Sequence, residues 1–422
     1  MSGAGDKRFF LHTLGCKVNW CDSDTLARTA RTQGWRQTRH AADAAVCVVN
    51  TCTVTGHADA TARKVIRALQ RENPAAPVIV TGCYARTDAG VLERLVEGAR
   101  IVAGAQPQQT LALMESLVRS RPAQGGAASA AEAEPAAGRT RAFIKIQDGC
   151  DQWCAYCKVP AARGPARSVP LPTVLDLMRA RAAESYQEVV LTGVNLAVYR
   201  DNNDTLADVV RAVAALQCMP RIRLSSVEAS AVDDKLLAVF AEFPALMPHL
   251  HLPLQSGSAR LLERMHRPVT RAVFLDAARA FHAYHRDAVI TTDVLVGFPG
   301  ETDSDVDATI EVIEELTFGK VHVFPFSVRA GTAAARMAGQ IAPAVIRARE
   351  ERVMAAAHGA AARCRARFAA APLAVLVEQR RRGWWEGFSH NYLRVRSRRG
   401  DLQHGQIAQL IVNKDDTQFI EP

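Results

Sequence analysis

No uninterrupted apolar run in this chain of 422 residues approaches the roughly 20 needed to span a bilayer, and its opening segment, MSGAGDKRFF, lacks the charged-then-apolar pattern of a secretory leader. A cytoplasmic protein without a membrane partner is expected. Neither a G-x-G-x-x-G nor a Walker pattern occurs, which argues against nicotinamide and nucleoside-triphosphate chemistry. No internal repeat is visible, and no triad or paired-carboxylate site stands out. Hydrophobic residues at 48%, charged residues at 23%, 26 Gly and 19 Pro exclude collagen-like, coiled-coil and wholly disordered chains. The chain reads as globular, too long for one ordinary core, and divisible into three domains.

Cysteine and positive charge, by contrast, are plentiful. Ten cysteines in a reducing compartment point to metal or redox chemistry before disulfides. The 52 Lys and Arg against 43 Asp and Glu give a net charge of +9, which predicts attraction to a polyanion without saying which.

From Phe9 to about Leu117, short β-like runs (Phe9–Leu11, Ala45–Asn50, Val78–Thr81) alternate with helical stretches (Asp22–Thr32, Ala58–Arg71, Asp88–Glu97). This predicts a small parallel α/β domain over residues 7–118. Each of the three strands runs into a cysteine: Cys16, Cys52 and Cys83. The carboxyl ends of parallel strands share one edge, so cysteines far apart in sequence can meet there. Residues 119–139 have almost no bulky apolar side chains and read as a flexible linker.

A second alternating series runs through residues 140–369. Strands are expected near Ala142–Ile146, Glu188–Leu191, Arg221–Ser225, His249–Leu252, Ala288–Val296 and Val321–Phe324, with helices such as Thr173–Glu184, Leu206–Leu216, Thr270–Tyr284 and Asp303–Leu316. Five or six such units make a complete or partial TIM-like (βα) barrel whose functional residues follow the strands. After a helical stretch, Ala344–Phe368, residues 370–422 turn to short β-like runs (Leu373–Glu378, Tyr392–Arg396, Gln406–Val412), enough for a small β-barrel.

Cys150, Cys154 and Cys157 form C-x3-C-x2-C directly after the first strand of that barrel. A structural zinc site wants four ligands and a disulfide two. Three thiolates on a four-iron cluster leave one iron open for a substrate or cofactor. Ligand count and position therefore favour an open iron–sulfur cluster over zinc or incidental cysteines. Taken singly, Cys16, Cys52 and Cys83 each read as small buried apolar residues; as a set after three strands, they repeat the count of three. Cys47 reads as core. Cys21, close to Cys16, reads as a helix residue and a weaker rival ligand.

The stretches Leu14-Gly15-Cys16-Lys17-Val18-Asn19, Lys145-Ile146-Gln147-Asp148-Gly149-Cys150, Arg163-Gly164-Pro165, Leu191-Thr192-Gly193-Val194-Asn195, Leu252-Pro253-Leu254-Gln255-Ser256-Gly257 and Val296-Gly297-Phe298-Pro299-Gly300-Glu301-Thr302 resemble the radical S-adenosylmethionine methylthiotransferases. The resemblance spans nearly the whole chain. Val190 to Leu196, with Glu386 to Tyr392, most resembles the branch acting on threonylcarbamoyladenosine at position 37 of tRNA. It implies that Cys150, Cys154 and Cys157 hold a [4Fe-4S] cluster that binds S-adenosylmethionine and yields a 5′-deoxyadenosyl radical. It implies also that Cys16, Cys52 and Cys83 hold an auxiliary [4Fe-4S] cluster supplying sulfur to adenine C2, while a second S-adenosylmethionine gives the methyl group. An unactivated C–H bond has no acidic proton, so the cofactor must carry the hard step.

Six further residues are candidate cofactor contacts. Tyr156 either lies near the adenine or simply covers the cluster. Gly193 and Asn195 admit the methionine end or form an ordinary turn. Ser226 and Glu228 bond the ribose or sit plainly on the surface, and Ala229 stands where the family usually has Pro. Gln255, with Ser256 and Gly257, is expected to line the cavity, and Gly297–Gly300 to form a tight turn. His249 and His251 share a strand face and read as structural or cavity-lining.

Between Arg363 and Gly400, ten arginines face only Glu378 and Glu386, which places eight of the nine net charges in one segment. Trp384, Trp385, Phe388 and Tyr392 are interleaved with them, the composition of an RNA-binding surface or of a basic face over an aromatic core. By resemblance this is a TRAM domain anchoring the tRNA anticodon loop. An electron donor such as flavodoxin or ferredoxin is implied; the sulfur donor is unidentified. The competing readings are a methylthiotransferase acting on isopentenyladenosine-37 or on a ribosomal-protein aspartate, and a non-catalytic, metal-stabilised RNA-binding protein.

Overall fold

The computed structural model describes residues 6–95, 98–119, 140–412 and 416–421. The expected linker lies outside the described residues, apart from Arg119. The chain forms two compact units, Met1–Gly138 with Cys157–Pro165, and Arg139–Tyr156 with Ala166–Pro422. Among the described residues no helix is long and apolar enough to cross a membrane.

The first unit runs β1 (Arg8–Thr13), α1 (Lys17–Thr32), β2 (Arg36–Gln37), β3 (Val46–Thr51), α2 (Gly56–Glu72), β4 (Val78–Gly82), α3 (Cys83–Thr87), α4 (Ala89–Leu95), β5 (Arg100–Ile101) and α5 (Pro107–Arg119). The sheet is wholly parallel, ordered β2-β1-β3-β4-β5. Every residue of β3 and β4 is buried, as expected of central parallel strands covered on both faces. Helix α1 starts at Lys17, earlier than its apolar spacing indicated, so Cys21 is a buried helix residue and Cys16 is the N-cap.

In the second unit β6 (Ala142–Lys145) and β7 (Gln147–Asp148) lead into the cysteine loop; the intervening α6 (Val159–Arg163) belongs to the first unit. Then follow β8 (Arg167–Ser168), α7 (Leu171–Ala183), β9 (Glu188–Thr192), α8 (Leu206–Ala215), β10 (Arg221–Leu224), α9 (Asp234–Glu242), β11 (His249–His251), α10 (Ala259–Arg264), α11 (Arg271–Tyr284), β12 (Val289–Val296), α12 (Asp303–Leu316), β13 (Lys320–Pro325) and α13 (Pro343–Ala366). Two parallel sheets, β6-β9-β10 and β11-β12-β13, are stitched by parallel bridges at Ile222–Leu246 and Ser226–His251. The result is a six-stranded arc, a partial barrel with its core between strands and outer helices. Helix α12 begins where its chemistry dictates: Thr302 Oγ1 accepts from the Asp305 N–H, and the Asp305 carboxylate accepts from the Thr302 N–H.

Helix α13 buries Val353, Ala357, Ala360, Ala361 and Cys364, one stripe at helical spacing. Beyond it β14 (Pro372–Arg381), β15 (Trp384–Ser389), β16 (Arg394–Ser397), β17 (Ile407–Ile411) and β18 (Thr417–Phe419) form an antiparallel sheet ordered β17-β14-β15-β16-β18. This lobe covers the amino ends of the barrel strands. Arg221 Nη2 donates to Ala374 O at 2.7 Å, Arg223 Nη2 donates to Ser389 O at 2.7 Å, the His249 ring stacks on Tyr392 at 4.3 Å, and Val289 joins the lobe's core. The carboxyl ends of the strands are the ones left for chemistry.

Candidate functional site

In the first unit the three cysteines occupy equivalent positions on neighbouring strands. Cys16 follows β1 through Gly15, Cys52 follows β3 directly, and Cys83 opens α3 directly after Gly82 of β4. Asn19 ties these ends together. Its Nδ2 donates to Leu14 O and Thr51 O, both at 2.9 Å, while its Oδ1 lies 3.9 Å from Cys16 Sγ and 3.8 Å from Cys83 Sγ. A Cβ on Gly15 would sit 2.5 Å from Cys52 Cβ and 2.8 Å from its Sγ, and Gly15 has φ +97°. Only glycine lets the Cys16 loop lie this close to Cys52. Arg163 completes the surroundings, donating through Nη2 to Asn19 Oδ1 at 2.5 Å and pairing with Asp22 at 3.0 Å. Burial pushes the Cys83 thiol up to about 12 and raises Cys52, with the Arg163 charge acting in the opposite sense on both.

In the second unit the cysteine loop is held from several sides. Gln147, fully buried, donates through Nε2 to Gly149 O at 2.8 Å and accepts at Oε1 from the Asn195 N–H at 2.9 Å. It thereby binds the residue before Cys150 to the loop after β9. The Ala155 N–H donates to Met265 O at 2.9 Å and Ala155 O accepts from the Ala334 N–H at 2.8 Å. Cys150 and Cys154 are buried in this unit; Cys157, two residues beyond Ala155 in the chain, begins the segment that belongs to the first.

Four of the six sulfurs have N–H groups directed at them, while Cys16 and Cys83 face the Asn19 side-chain oxygen. The N–H two residues on points at Cys52 (Val54, 3.5 Å), Cys150 (Gln152, 3.4 Å) and Cys157 (Val159, 3.4 Å), and Arg267 Nη1 lies 3.7 Å from Cys154 Sγ. Among the described residues no group of three or more His, Cys, Asp or Glu is placed to hold a metal ion. A single tetrahedral zinc draws its sulfurs to within about 3.8 Å of one another, given bonds of about 2.3 Å. On a four-iron cube each thiolate binds a different iron and the sulfurs stand further apart, favoured by hydrogen bonds to sulfur. The N–H groups at Cys52, Cys150, Cys154 and Cys157 are of the kind that tune a cluster's potential through its sulfurs.

The remaining candidates sit at the carboxyl ends of barrel strands. Tyr156 packs with Leu261, Met265, Phe298 and Phe326. A Cβ on Gly193 would fall 2.9 Å from Gln147 Oε1, so this glycine admits the Gln147 bridge. Asn195 Oδ1 caps the turn after it, accepting from the Ala197 N–H at 3.1 Å. Ser226 pairs through its backbone with His251. Gln255, at φ +65°, bridges to Val294 of β12. The Glu228 carboxylate is engaged by Arg267 Nη2 at 2.6 and 2.7 Å. His249 and His251 share Thr291 Oγ1, each at 3.0 Å, and His251 lies 3.2 Å from Asp293. Asn19, Gln147, Arg163 and Arg267 carried no role in the sequence reading. The first three lie within the family-like stretches, the only signal available for them.

Residues 8–104 match the uncharacterized protein family UPF0004 and residues 144–313 match the Radical SAM superfamily. The radical S-adenosylmethionine methyltransferase TsrM of Kitasatospora setae has a similar fold, with a TM-score of 0.56 at 16% identity over 76% of this chain and 75% of that one. A parallel partial barrel with a cysteine loop after its first strand, matched in this way, is a radical SAM enzyme. The threonylcarbamoyladenosine tRNA methylthiotransferase MtaB of Bacillus subtilis is 33% identical over 96% of this chain and 93% of its own length. The Thermotoga maritima protein of that name is 34% identical over 78% of this chain and 77% of its own. The tRNA-2-methylthio-N(6)-dimethylallyladenosine synthase of Roseobacter denitrificans is 32% identical over 83% of this chain and 82% of its own. The chain belongs to the radical SAM tRNA methylthiotransferase family, whose cofactors are S-adenosylmethionine and [4Fe-4S] iron–sulfur chemistry.

Proposed function

We propose that this enzyme methylthiolates C2 of N6-threonylcarbamoyladenosine at position 37 of tRNA, using one [4Fe-4S] cluster on Cys150, Cys154 and Cys157 and an auxiliary one on Cys16, Cys52 and Cys83. The convergence of the second triplet around Asn19 carries the reading, because hydrogen abstraction alone needs only the first. The Bacillus subtilis relative supports the choice of substrate. When bound, these groups supply the 5′-deoxyadenosyl radical, the sulfur and the methyl group. The protein's own part is positioning. Gln147 fixes the cysteine loop against the Asn195 turn, Asn19 and Arg163 fix the other triplet, and Tyr156, Gly193, Asn195, Ser226, Glu228 and Gln255 line the S-adenosylmethionine position, with Glu228 oriented by Arg267. A flavodoxin or ferredoxin supplies the electron. The C-terminal lobe holds the anticodon arm.

The Roseobacter denitrificans relative favours a second reading, isopentenyladenosine-37 as substrate. Nucleoside mass spectrometry of tRNA from a strain lacking the gene separates the two: 2-methylthio-threonylcarbamoyladenosine should vanish. If it persists while another methylthiolated adenosine disappears, the substrate is the other one. Reconstituted protein should hold roughly eight irons per chain, and zinc alone would refute both clusters.

A further inference from the structure

Arg267 follows α10, in a turn where His266 takes φ +55° and the Arg267 N–H donates to Leu262 O at 2.9 Å. Its side chain is 5% exposed. Nη2 engages both Glu228 oxygens and lies 3.4 Å from Pro253 O, and Nη1 is directed at Cys154 Sγ. Nε, also buried, has no hydrogen-bond partner among the described residues. A dehydrated cation facing one carboxylate is costly unless a further negative centre lies against it. Cys154 is where that centre belongs.

We propose that Arg267 and Glu228 form a charge pair that sets the reduction potential of the cluster at Cys150, Cys154 and Cys157. The inference rests on the reading that those three cysteines hold a [4Fe-4S] cluster. Reduction adds one negative charge to the cluster. An N–H donor and a positive charge at a ligand sulfur favour that state, and a carboxylate nearby disfavours it. Arg267 therefore raises the potential, and Glu228 limits the rise while fixing the direction in which the guanidinium points. The pair acts on how easily the cluster is reduced, before any substrate arrives.

The test uses full-length protein carrying Cys16→Ala, Cys52→Ala and Cys83→Ala, reconstituted anaerobically so that only one cluster is read. Its midpoint potential is measured by redox titration followed by electron paramagnetic resonance, without S-adenosylmethionine. Arg267→Gln should lower the potential, Arg267→Lys should lower it less, and Glu228→Gln should raise it, each at unchanged iron content. Loss of packing alone predicts shifts of one sign or none, so opposite signs identify the charges as the cause. Shifts in the same direction, or an unmoved potential with iron retained, overturn the proposal. If Arg267→Gln binds too little iron, Glu228→Gln decides, since that variant keeps the guanidinium. A reducible signal that survives Cys150→Ala, Cys154→Ala and Cys157→Ala overturns the cluster assignment itself, a separate failure.

Discussion

Asn19 uses both ends of its amide on the ends of the first three long strands, two bonds to carbonyls that precede Cys16 and Cys52 and one oxygen toward Cys16 and Cys83. Gly15 does the complementary work by leaving space. Gly15→Ala would place a methyl 2.5 Å from Cys52 Cβ at φ +97°; about 1–3 kcal/mol of strain is expected, and on the two-cluster proposal iron should fall from roughly eight to roughly four per chain. Gly34→Ala is the control, since its φ is +83° but nothing lies within 4 Å. It should strain the backbone and keep its iron. Equal iron in Gly15→Ala and wild type would refute the crowding argument. Residue-level legibility follows the same division. Cys150, Cys154 and Cys157 stood out by their local spacing, and Cys16, Cys52 and Cys83, far apart in sequence, by each following a β-like run. Arg163 and Asn19 were not, because they meet across 144 positions of sequence, and a bond made only by folding leaves no local pattern.

Among elements, the joint between the C-terminal lobe and the barrel is built from charge. Glu188, fully buried at the start of β9, receives Arg223 at 2.7 Å and has Arg221 at 3.7 Å and Arg141 at 3.8 Å. The same arginines reach the lobe: Arg223 donates to Ser389 O and His390 O, and Arg141 lies over Phe388. Glu188→Ala leaves these cations without their shared carboxylate and should cost about 3–5 kcal/mol; thermal unfolding indistinguishable from wild type would show the network to be dispensable. Acid should loosen the same joint. Burial holds His390 below the ordinary histidine value, so its contribution is present above the unfolded value near 6.5 and is lost as pH falls through the folded value. Tryptophan-monitored unfolding should show a lower midpoint at pH 5.5 than at pH 7.5, with His390→Gln narrowing the difference. A midpoint that rises on acidification would reverse the sign. Most barrel strands were readable from their apolar runs, but α9, α10, β15 and β18 were not. In β15 the cause is visible: Phe388 faces the barrel and Trp385 packs toward the lobe's core, so its apolar residues do not alternate.

At the scale of the molecule, the sequence put most of the net charge between Arg363 and Gly400, and the fold sorts which of that segment's side chains remain outward. Phe388 and Tyr392, two of the four aromatics that offered stacking faces, are committed to the joint with Arg141, Arg223 and His249. What is left outward is the β14–β15 hairpin with exposed Arg380, Arg381 and Arg382, and Trp384 with Arg396 at 4.6 Å and Arg398 at 4.2 Å from its ring. Several other arginines of the segment are already answered: Arg399 pairs with Asp401, and Arg367 donates to Arg286 O. Charge and stacking then separate by experiment. Reversing Arg380, Arg381 and Arg382 to Glu should weaken tRNA binding and flatten the dependence of log K on log salt by about 0.7–0.9 for each phosphate that is no longer neutralised. Trp384→Ala should weaken binding by about 1–3 kcal/mol with the salt slope nearly intact, since stacking releases no counterions. Both should leave S-adenosylmethionine cleavage unchanged, because the lobe covers the amino ends of the barrel strands and the cysteine loop lies at the carboxyl ends. Unchanged affinity in both variants would put the RNA surface elsewhere, and a slope that falls with Trp384→Ala would mean that the ring holds Arg396 and Arg398 in place and stacks on no base.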